Sequence, residues 1–185
     1  MNNNIQKCFD IGHKGLLELL PLLNTKAFQG RFVITDKGNI SEFLQKTVGD
    51  IIFNCANQET WSIEVKTEEE NKHNNFYLET WSNLSRLTTG WMVTLKADFL
   101  WYYFQDIKTL YSIQLPRLQD WAFKRKRIYS FPEKVQKKTS QMNDTWGRCV
   151  PIDIIEKEVG FKVYNVKTSE RIIKNNNESN QQGLF

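Results

Sequence analysis

The stretch Asp50–Lys66 reads DIIFNCANQETWSIEVK, and it decides which fold the chain is expected to adopt. Its last six residues, Trp61–Lys66, alternate apolar and polar side chains, which is typical of a half-buried β-strand. Residues two apart on a strand share a face, so Glu64 and Lys66 are predicted to point together while Val65 turns to the core. The stretch therefore predicts a carboxylate and an ammonium group side by side on one strand.

A second carboxylate stands at the head of the preceding apolar run. Asp50 comes directly before Ile51–Phe53, so a strand is predicted to begin close to it. Residues 54–60 would form the turn into the strand 61–67, which makes the two strands hairpin neighbours. Two carboxylates with a nearby lysine suit a divalent metal and a phosphodiester under attack. A metal-dependent nuclease is therefore the leading hypothesis.

Length and composition predict one soluble domain. The chain has 185 residues, enough for one well-buried core and few for two, and its 40% hydrophobic and 25% charged residues are ordinary for a globular domain. The longest apolar run, Phe99–Phe104, is far too short to span a bilayer, and no hydrophobic signal segment opens the sequence. Scattered cysteines without metal-ligand spacing favour a reducing cytoplasm.

A helix, a run of strands and further helices are predicted in that order. Helices are predicted at 15–23, with a break or kink at Pro21, at 116–127 and at 151–159. Residues 90–97 are predicted to form a short helix or an irregular crossing. The predicted strands, besides 51–53 and 61–67, are 32–34, 75–83, 99–104, 109–115 and 161–166. This order indicates an α/β domain over residues 1–173, with a central mixed β-sheet flanked by helices. The polar segment 174–185 is predicted to be a flexible tail.

The chain resembles the PD-(D/E)xK nuclease superfamily, in which a helix leads into a β-meander that carries an Asp and then a (D/E)xK triplet. Asp50 and the triplet Glu64-Val65-Lys66 match those motifs, and the resemblance covers roughly residues 10–115. It implies a restriction-endonuclease-like core in which Asp50, Glu64 and the Val65 carbonyl hold Mg²⁺ or Mn²⁺. It also implies that Lys66 orients or deprotonates the attacking water and offsets charge on the phosphate.

Two more carboxylates are candidate metal ligands. Glu18, in the early helix, matches the glutamate that many members of the superfamily aim at the metal. Glu79 lies on a strand expected beside 61–67, and it shares a predicted face with Tyr77 and Trp81. Either Glu79 is an extra metal ligand and the two rings line a nucleic-acid groove, or the rings are core and Glu79 is an edge residue.

The triplet also has a simpler interpretation. Glu64 and Lys66 would equally fit an exposed, salt-bridged face of an ordinary sheet, since charged surface residues are common. A second triplet of the same type, Glu70–Lys72, lies in a predicted polar loop and lacks the strand alternation. Gly49 stands where the name of the superfamily has Pro, a position at which many members vary.

Positive charge is concentrated between residues 124 and 138, at the end of the predicted helix 116–127 and in the segment that follows it. Seven basic residues between 124 and 138 accompany one acid, Glu133, although the net charge of the chain is only +4. The stretch is either a solvated helix end and loop or a phosphate-binding patch for DNA. The residues assigned to that patch are Lys124, Arg125, Lys126, Arg127, Lys137 and Lys138.

The last five residues, Gln181-Gln182-Gly183-Leu184-Phe185, resemble the bacterial sliding-clamp-binding peptide. The resemblance implies that Leu184 and Phe185 fill an apolar pocket of a clamp, while Gln181 fixes the register by hydrogen bonds. Gln182 departs from the pattern, which prefers Leu or Met there. The alternative is a Leu-Phe pair that packs against its own domain.

Together these features predict a Mg²⁺-dependent DNA endonuclease, linked to replication if the terminal peptide binds a clamp. Small stand-alone members of the superfamily resemble phage or mobile-element nucleases and Holliday-junction resolvases, which implies a 5′-phosphate product. A resolvase would be a symmetric homodimer. RNA cleavage would use the same site. The rival hypothesis is a non-catalytic DNA-binding or clamp-binding adaptor on the same fold, whose function survives mutation of Lys66.

Overall fold

A computed structural model of the chain describes residues 3–25, 28, 30–35, 48–136 and 144–173. The described helices are α1 (Asn3–Leu23), α2 (Trp91–Thr94), α3 (Leu115–Ala122), α4 (Arg125–Ser130) and α5 (Ile152–Glu158), and a 3₁₀ turn spans Leu84–Arg86. On α1 the buried residues Leu16, Leu19 and Leu23 recur at helical spacing, so one stripe of the helix faces the core. No helix in the described part of the chain is long and apolar enough to cross a membrane.

The strands form two sheets. Their bounds are β1 (Gly30–Ile34), β2 (Ile51–Cys55), β3 (Thr60–Glu68), β4 (Asn75–Asn83), β5 (Thr88–Thr89), β6 (Phe99–Phe104), β7 (Thr109–Gln114), β8 (Lys134–Val135), β9 (Trp146–Pro151), β10 (Lys162–Asn165) and β11 (Glu170–Ile172). The large sheet has the order β1-β2-β3-β6-β7-β10-β11, and the small sheet has the order β5-β4-β9-β8. In the large sheet β3 and β6 run parallel while the other neighbours are antiparallel, so the sheet is mixed.

The large sheet is covered on both faces, and β6 shows how. Trp101 and Tyr103 point to one face and pack in a cluster with Leu19 of α1. Leu100 and Tyr102 point to the other face and pack in a second cluster with Phe76 of the small sheet. Strands buried on both sides are expected to read as near-continuous hydrophobic runs, as the sequence of β6 does.

Most of the predicted strands are confirmed. The strands expected at 32–34, 51–53, 61–67 and 75–83 correspond to β1 to β4, and those at 99–104, 109–115 and 161–166 correspond to β6, β7 and β10. Phe76, Leu78 and Thr80 are buried while their neighbours on β4 are not, as the alternation predicted. The α/β class with a mixed sheet is therefore confirmed.

The position expected for β4 is wrong. The sequence placed it beside the strand 61–67, but β3 pairs with β2 on one side and with β6 on the other, and β4 belongs to the small sheet. The reason is the parallel pairing of residues 63–68 with 99–104, which takes up the hydrogen bonds on that side of β3. The strands β5, β8, β9 and β11 were not predicted.

Two helix predictions also change. The expected helix 116–127 is divided, because Lys124 has an extended backbone between α3 and α4. Pro21 was expected to break or kink the first helix, yet α1 continues to Leu23. A proline at this position removes the hydrogen bond to the carbonyl of Leu17, which lies on the exposed side of the helix where water can replace it.

Candidate active site

Asp50 is fixed by hydrogen bonds to β3 and to Thr35, the residue that follows β1. Its backbone N–H donates to the carbonyl of Ile63 at 2.8 Å, and its own carbonyl accepts from the N–H of Thr35 at 2.9 Å. The carboxylate accepts from the N–H of Val65, with an N···Oδ2 distance of 2.8 Å. The carboxylate of Asp50 is thereby held against β3, next to the triplet, as the sequence predicted for hairpin neighbours.

Gly49 makes this close approach feasible. Its φ angle is +84°, in the left-handed region that favours glycine, and proline is restricted to φ near −65°. A Cβ atom at this position would lie 2.7 Å from the carbonyl oxygen of Ile63 and 2.9 Å from the backbone nitrogen of Glu64. The backbone therefore requires glycine at position 49, since neither Pro nor a larger residue fits there.

Glu64 and Lys66 point to the same face of β3, as the alternation predicted. The Lys66 ammonium donates a hydrogen bond to Oε1 of Glu64. Glu64 is only 7% exposed, so the interpretation of the pair as an exposed salt-bridged face is wrong. The Lys66 Nζ atom also lies 5.5 Å from the ring centroid of Trp91, within the range of a cation–π interaction.

Glu79 reaches the same cluster from the small sheet. The Glu79 carboxylate lies near the backbone N–H of Trp91, which favours its charged form and opposes the rise in its pKa. Gly90 allows the two segments to touch, because a Cβ atom there would lie 2.6 Å from the carbonyl oxygen of Glu79. The cluster therefore draws its residues from both sheets and from the segment that carries α2.

Burial is the largest single influence on the pKa values in the cluster, and the charges of its members oppose or reinforce it. Burial raises the pKa of Glu64 above its usual value, and the Lys66 ammonium opposes that shift only in part. The charges of Asp50 and Glu79 raise it further. Burial likewise raises the pKa of Glu79, and Lys66 again opposes it. Burial alone would lower the pKa of Lys66, but the surrounding carboxylates outweigh burial and raise it.

The donor set suits a hard divalent cation. Asp50 and Glu64 supply carboxylate oxygens, and the N–H and C=O of a strand residue face the same side, so the Val65 carbonyl lies on the Asp50 side of β3. A divalent cation would favour the ionised form of Glu64, whose pKa is raised by burial and, less strongly, by the charges of Asp50 and Glu79. Among the described residues, no group of three or more His, Cys, Asp or Glu side chains is arranged as a metal site.

Glu18 is not part of this cluster. It lies on α1, which packs against the face of the large sheet opposite to Glu64. Its carboxylate accepts hydrogen bonds from the hydroxyl of Tyr103 at 2.5 Å and from Nζ of Lys108 at 2.8 Å. Both hydrogen bonds and the charge of Lys108 outweigh the effect of burial, so the pKa of Glu18 is lowered. The expectation that Glu18 points at the metal is not supported by its position.

The aromatic neighbours of Glu79 are only half-buried. Trp81 and Tyr77 lie on the less buried side of β4. The hydroxyl of Tyr77 is within hydrogen-bond distance of the carbonyls of Lys134 and Thr145, at 3.4 and 3.5 Å. Tyr77 is therefore engaged by the strand β8 and the segment before β9 rather than turned into an open groove.

The predicted phosphate-binding patch is divided by the structure. Lys124, Arg125 and Lys126 are exposed around the start of α4. Arg127 turns inward and contacts the carboxylate of Glu158, so it belongs to the packing of the helices. Lys137 and Lys138 lie outside the described residues, as do Gln181, Leu184 and Phe185 of the terminal peptide.

Trp91 is the member of the cluster that the sequence did not reveal. Its ring packs against the apolar core cluster and also lies 5.5 Å from Nζ of Lys66, and this contact with Lys66 is what the sequence does not predict. The available signal was the pair Gly90-Trp91, a small residue that permits close approach followed by a large ring. That signal does not say which strand the segment approaches, so the partner was not predictable.

The fold and the cluster together define an α/β protein in which a buried carboxylate, Glu64, contacts a partly exposed lysine, Lys66, near two further carboxylates. Comparisons with protein-family models, with curated proteins and with solved structures found no match to this chain. A function therefore has to be inferred from the chemistry of Asp50, Glu64, Lys66 and Glu79.

Proposed function

We propose that the chain is a metal-dependent endonuclease of the PD-(D/E)xK type that hydrolyses phosphodiester bonds in DNA. The observation that carries the proposal is the convergence of Asp50, Glu64 and Lys66 on neighbouring strands, with Lys66 in contact with Glu64. An ordinary structural ion pair would need one carboxylate for one lysine. Here the charges of three carboxylates, those of Glu64, Asp50 and Glu79, act on one ammonium group, which leaves an excess of negative charge for a cation to balance.

The residues have separate roles in this proposal. Asp50, Glu64 and the Val65 carbonyl would hold Mg²⁺ or Mn²⁺, which when bound activates water and stabilises charge on the phosphate. Lys66 offers its ammonium to the phosphate, where negative charge develops during attack. Its raised pKa keeps the proton on Nζ, so an electrostatic and orienting role fits Lys66 better than that of a base. Trp91 limits where the ammonium group can lie.

The test is cleavage of branched, linear and single-stranded DNA, and of RNA, with Mg²⁺, with Mn²⁺ and with EDTA. Lys66→Met and Glu64→Gln should each lower the rate at least about a hundredfold, because each removes a group that acts on the reacting phosphate or the metal. EDTA should abolish cleavage by the unchanged chain. The substrate that is cut fastest would identify the subclass, including a junction-resolving enzyme.

The chain supplies its own matched control. Glu70 and Lys72 form the second Glu-x-Lys triplet, and their side chains are ion-paired at 2.7 Å but are 54% and 68% exposed in the loop after β3. Lys72→Met and Glu70→Gln should leave cleavage unchanged. Circular dichroism would verify that Glu64→Gln and Lys66→Met remain folded. Folded variants that bind DNA as before, together with an unchanged chain that never cleaves it, would sink the proposal and favour the adaptor.

A further inference from the structure

Tyr129 is an unusually open aromatic residue. It lies on α4, and 73% of its surface is exposed. The guanidinium of Arg125, one turn earlier on the same helix, lies 5.9 Å from the ring centroid. Residues four apart on a helix are neighbours, so this contact holds the ring and the cation together at the surface.

The charge around this ring is strongly positive. Lys124, Arg125 and Lys126 are exposed, and no acidic side chain in the described part of the chain forms an ion pair with them. Two acids close to α4 are already engaged by other arginines, and Asp120, which lies four residues before Lys124, forms no ion pair with a described residue. Glu158 contacts Arg127, and Glu133 lies 3.6 Å from a guanidinium nitrogen of Arg148. The three cations are therefore available to an anionic partner.

α4 is packed against α3 and α5 through the side chain of Arg127. The guanidinium of Arg127 contacts Glu158 of α5 and lies 5.3 Å from the ring centroid of Trp121 on α3. The indole N–H of Trp121 donates to the same carboxylate at 2.6 Å. The inward arginine thus fixes α4, and little ordering is needed when a ligand binds.

We propose that Lys124, Arg125, Lys126 and Tyr129, named here the α4 surface, bind a single-stranded segment of nucleic acid. The cations contact phosphates, and Tyr129 stacks on an unpaired base. A duplex hides the faces of its bases, so the ring distinguishes unpaired from paired strands. The choice of nucleic acid as the ligand rests on the proposed function. The preference for a single strand over a duplex is inferred from the exposed Tyr129 ring among cations that have no ion-pair partner in the described residues.

A membrane is the other anionic surface that such residues attract. α4 has only six residues, which is short for an amphipathic helix that lies in a lipid interface. Tyr129 has one other exposed apolar neighbour on α4, Ile128, and two adjacent residues do not form an apolar stripe along the helix. These features favour the nucleic acid, and binding to anionic vesicles is used as a competing outcome.

The test measures binding rather than cleavage, with Lys66→Met as the background and EDTA present. Labelled single-stranded and duplex DNA and single-stranded RNA are titrated by fluorescence anisotropy, and a 2-aminopurine base reports stacking. Tyr129→Leu should weaken single-strand binding about tenfold, from the ~1–3 kcal/mol that one stacked base contributes. It should leave duplex binding and the salt dependence unchanged, and it should remove the change in 2-aminopurine fluorescence. Tyr129→Trp should restore both readouts.

Lys124→Ala separates charge from stacking, because the cation in contact with the Tyr129 ring is Arg125. It should weaken single-strand and duplex binding alike and lower the slope of log K against log salt by about 0.7–0.9. Leu87→Ala, at a residue that is 75% exposed on the 3₁₀ turn side of the small sheet, should change nothing. Single-strand affinity unmoved by Tyr129→Leu would overturn the inference, and so would tighter binding to anionic vesicles that depends on Tyr129. A chain that stacks bases through Tyr129 but never cleaves would leave this inference standing and remove the nuclease.

Discussion

The backbone of Gly49 determines where the carboxylate of Asp50 lies. Its positive φ turns the chain into β2, and the hydroxyl of Thr35 donates to its carbonyl. Because this turn presses against Ile63 and Glu64, the position of Asp50 depends on a residue that has no side chain. The position of the candidate metal ligand Asp50 is thus determined by Gly49, which has no side chain of its own.

Gly49→Ala should destabilise the protein and weaken the site together. A residue with a Cβ at positive φ costs about 1–2 kcal/mol, and the contact with the Ile63 carbonyl adds to that. A loss of about 2 kcal/mol corresponds to a fall in Tm of roughly 4–8 °C for a chain of this size. Thermal unfolding followed by circular dichroism measures this, and cleavage should fall because Asp50 is displaced.

Gly12→Ala is the control for that substitution. Gly12 lies within α1, where a Cβ atom would meet nothing within 4 Å. Alanine there should stabilise the helix by about 0.5–1 kcal/mol, because glycine loses more backbone freedom on folding. Equal effects of the two substitutions would contradict the assignment of strain to Gly49.

At the scale of elements, Glu18 joins α1 to the large sheet by a polar contact inside an apolar interface. Glu18 on α1 accepts from Tyr103 on β6 and from Lys108, which has positive φ in the turn before β7. Around it the helix packs through leucines such as Leu19. Glu18 therefore positions α1 on the sheet, a structural role that its sequence position alone would not separate from metal binding.

Glu18→Gln should reduce stability in a pH-dependent way and leave cleavage intact. The folded pKa of Glu18 is lowered below its ordinary value of 4.5, so the ionised form stabilises the fold. That contribution is fully present above the unfolded pKa and is lost as the pH falls through the folded one. The variant should lose about 1 kcal/mol at pH 7, and the difference should vanish in acid.

Urea unfolding at several pH values measures that difference. Glu69→Gln is the control, since Glu69 is 53% exposed and its ion pair with Lys7, at 3.5 Å, is worth about 0.5 kcal/mol or less. A gap between Glu18→Gln and the unchanged chain that persists below pH 3 would refute the linkage. Loss of Mg²⁺-dependent cleavage in Glu18→Gln would show that this carboxylate reaches the metal after all.

The elements were predictable where the cause is local. The alternation in Trp61–Lys66 and in 75–83 defines strands and faces by itself, and the triplet on β3 could be recognised for that reason. The pairing of strands is a long-range choice, so the parallel contact of β3 with β6 was missed and β4 was placed in the wrong sheet. The contact of Lys66 with Trp91 depends on that same choice and could not be read from either segment.

At the scale of the whole molecule, the cluster depends on how the two sheets are held together. Glu79 belongs to the small sheet, and Asp50, Glu64 and Lys66 belong to the large one. The hydroxyl of Tyr102 on β6 donates to Glu68 at 2.6 Å. The same hydroxyl accepts a hydrogen bond from the backbone N–H of Tyr77 on β4 at 3.2 Å, so it connects the two sheets at a point close to the cluster. Apolar side chains of both sheets pack in one core cluster, which supplies the remaining contacts between the sheets.

Arg148 is the second polar tie between the small sheet and the remainder of the fold. It lies on β9, opposite Leu78 of β4, and is buried. One guanidinium nitrogen donates to the carbonyl of Ala122 at the end of α3, at 2.6 Å, and another lies 3.6 Å from Glu133. The guanidinium also lies 5.4 Å from the ring centroid of Phe123. Burial lowers the pKa of Arg148, which the charge of Glu133 opposes.

Arg148→Met should therefore destabilise the protein by about 2–3 kcal/mol, since it leaves a buried carbonyl and a carboxylate without their partner. Arg117→Met, at an exposed position of α3, should stay within about 0.5 kcal/mol of the unchanged chain. Adding Glu133→Gln to Arg148→Met should recover part of the loss, because the uncompensated charge is removed. Urea unfolding followed by tryptophan fluorescence measures all three. If Arg148→Met unfolds at the same urea concentration as Arg117→Met, Arg148 does not join the small sheet to α3 energetically, and the apolar core alone keeps Glu79 beside Lys66.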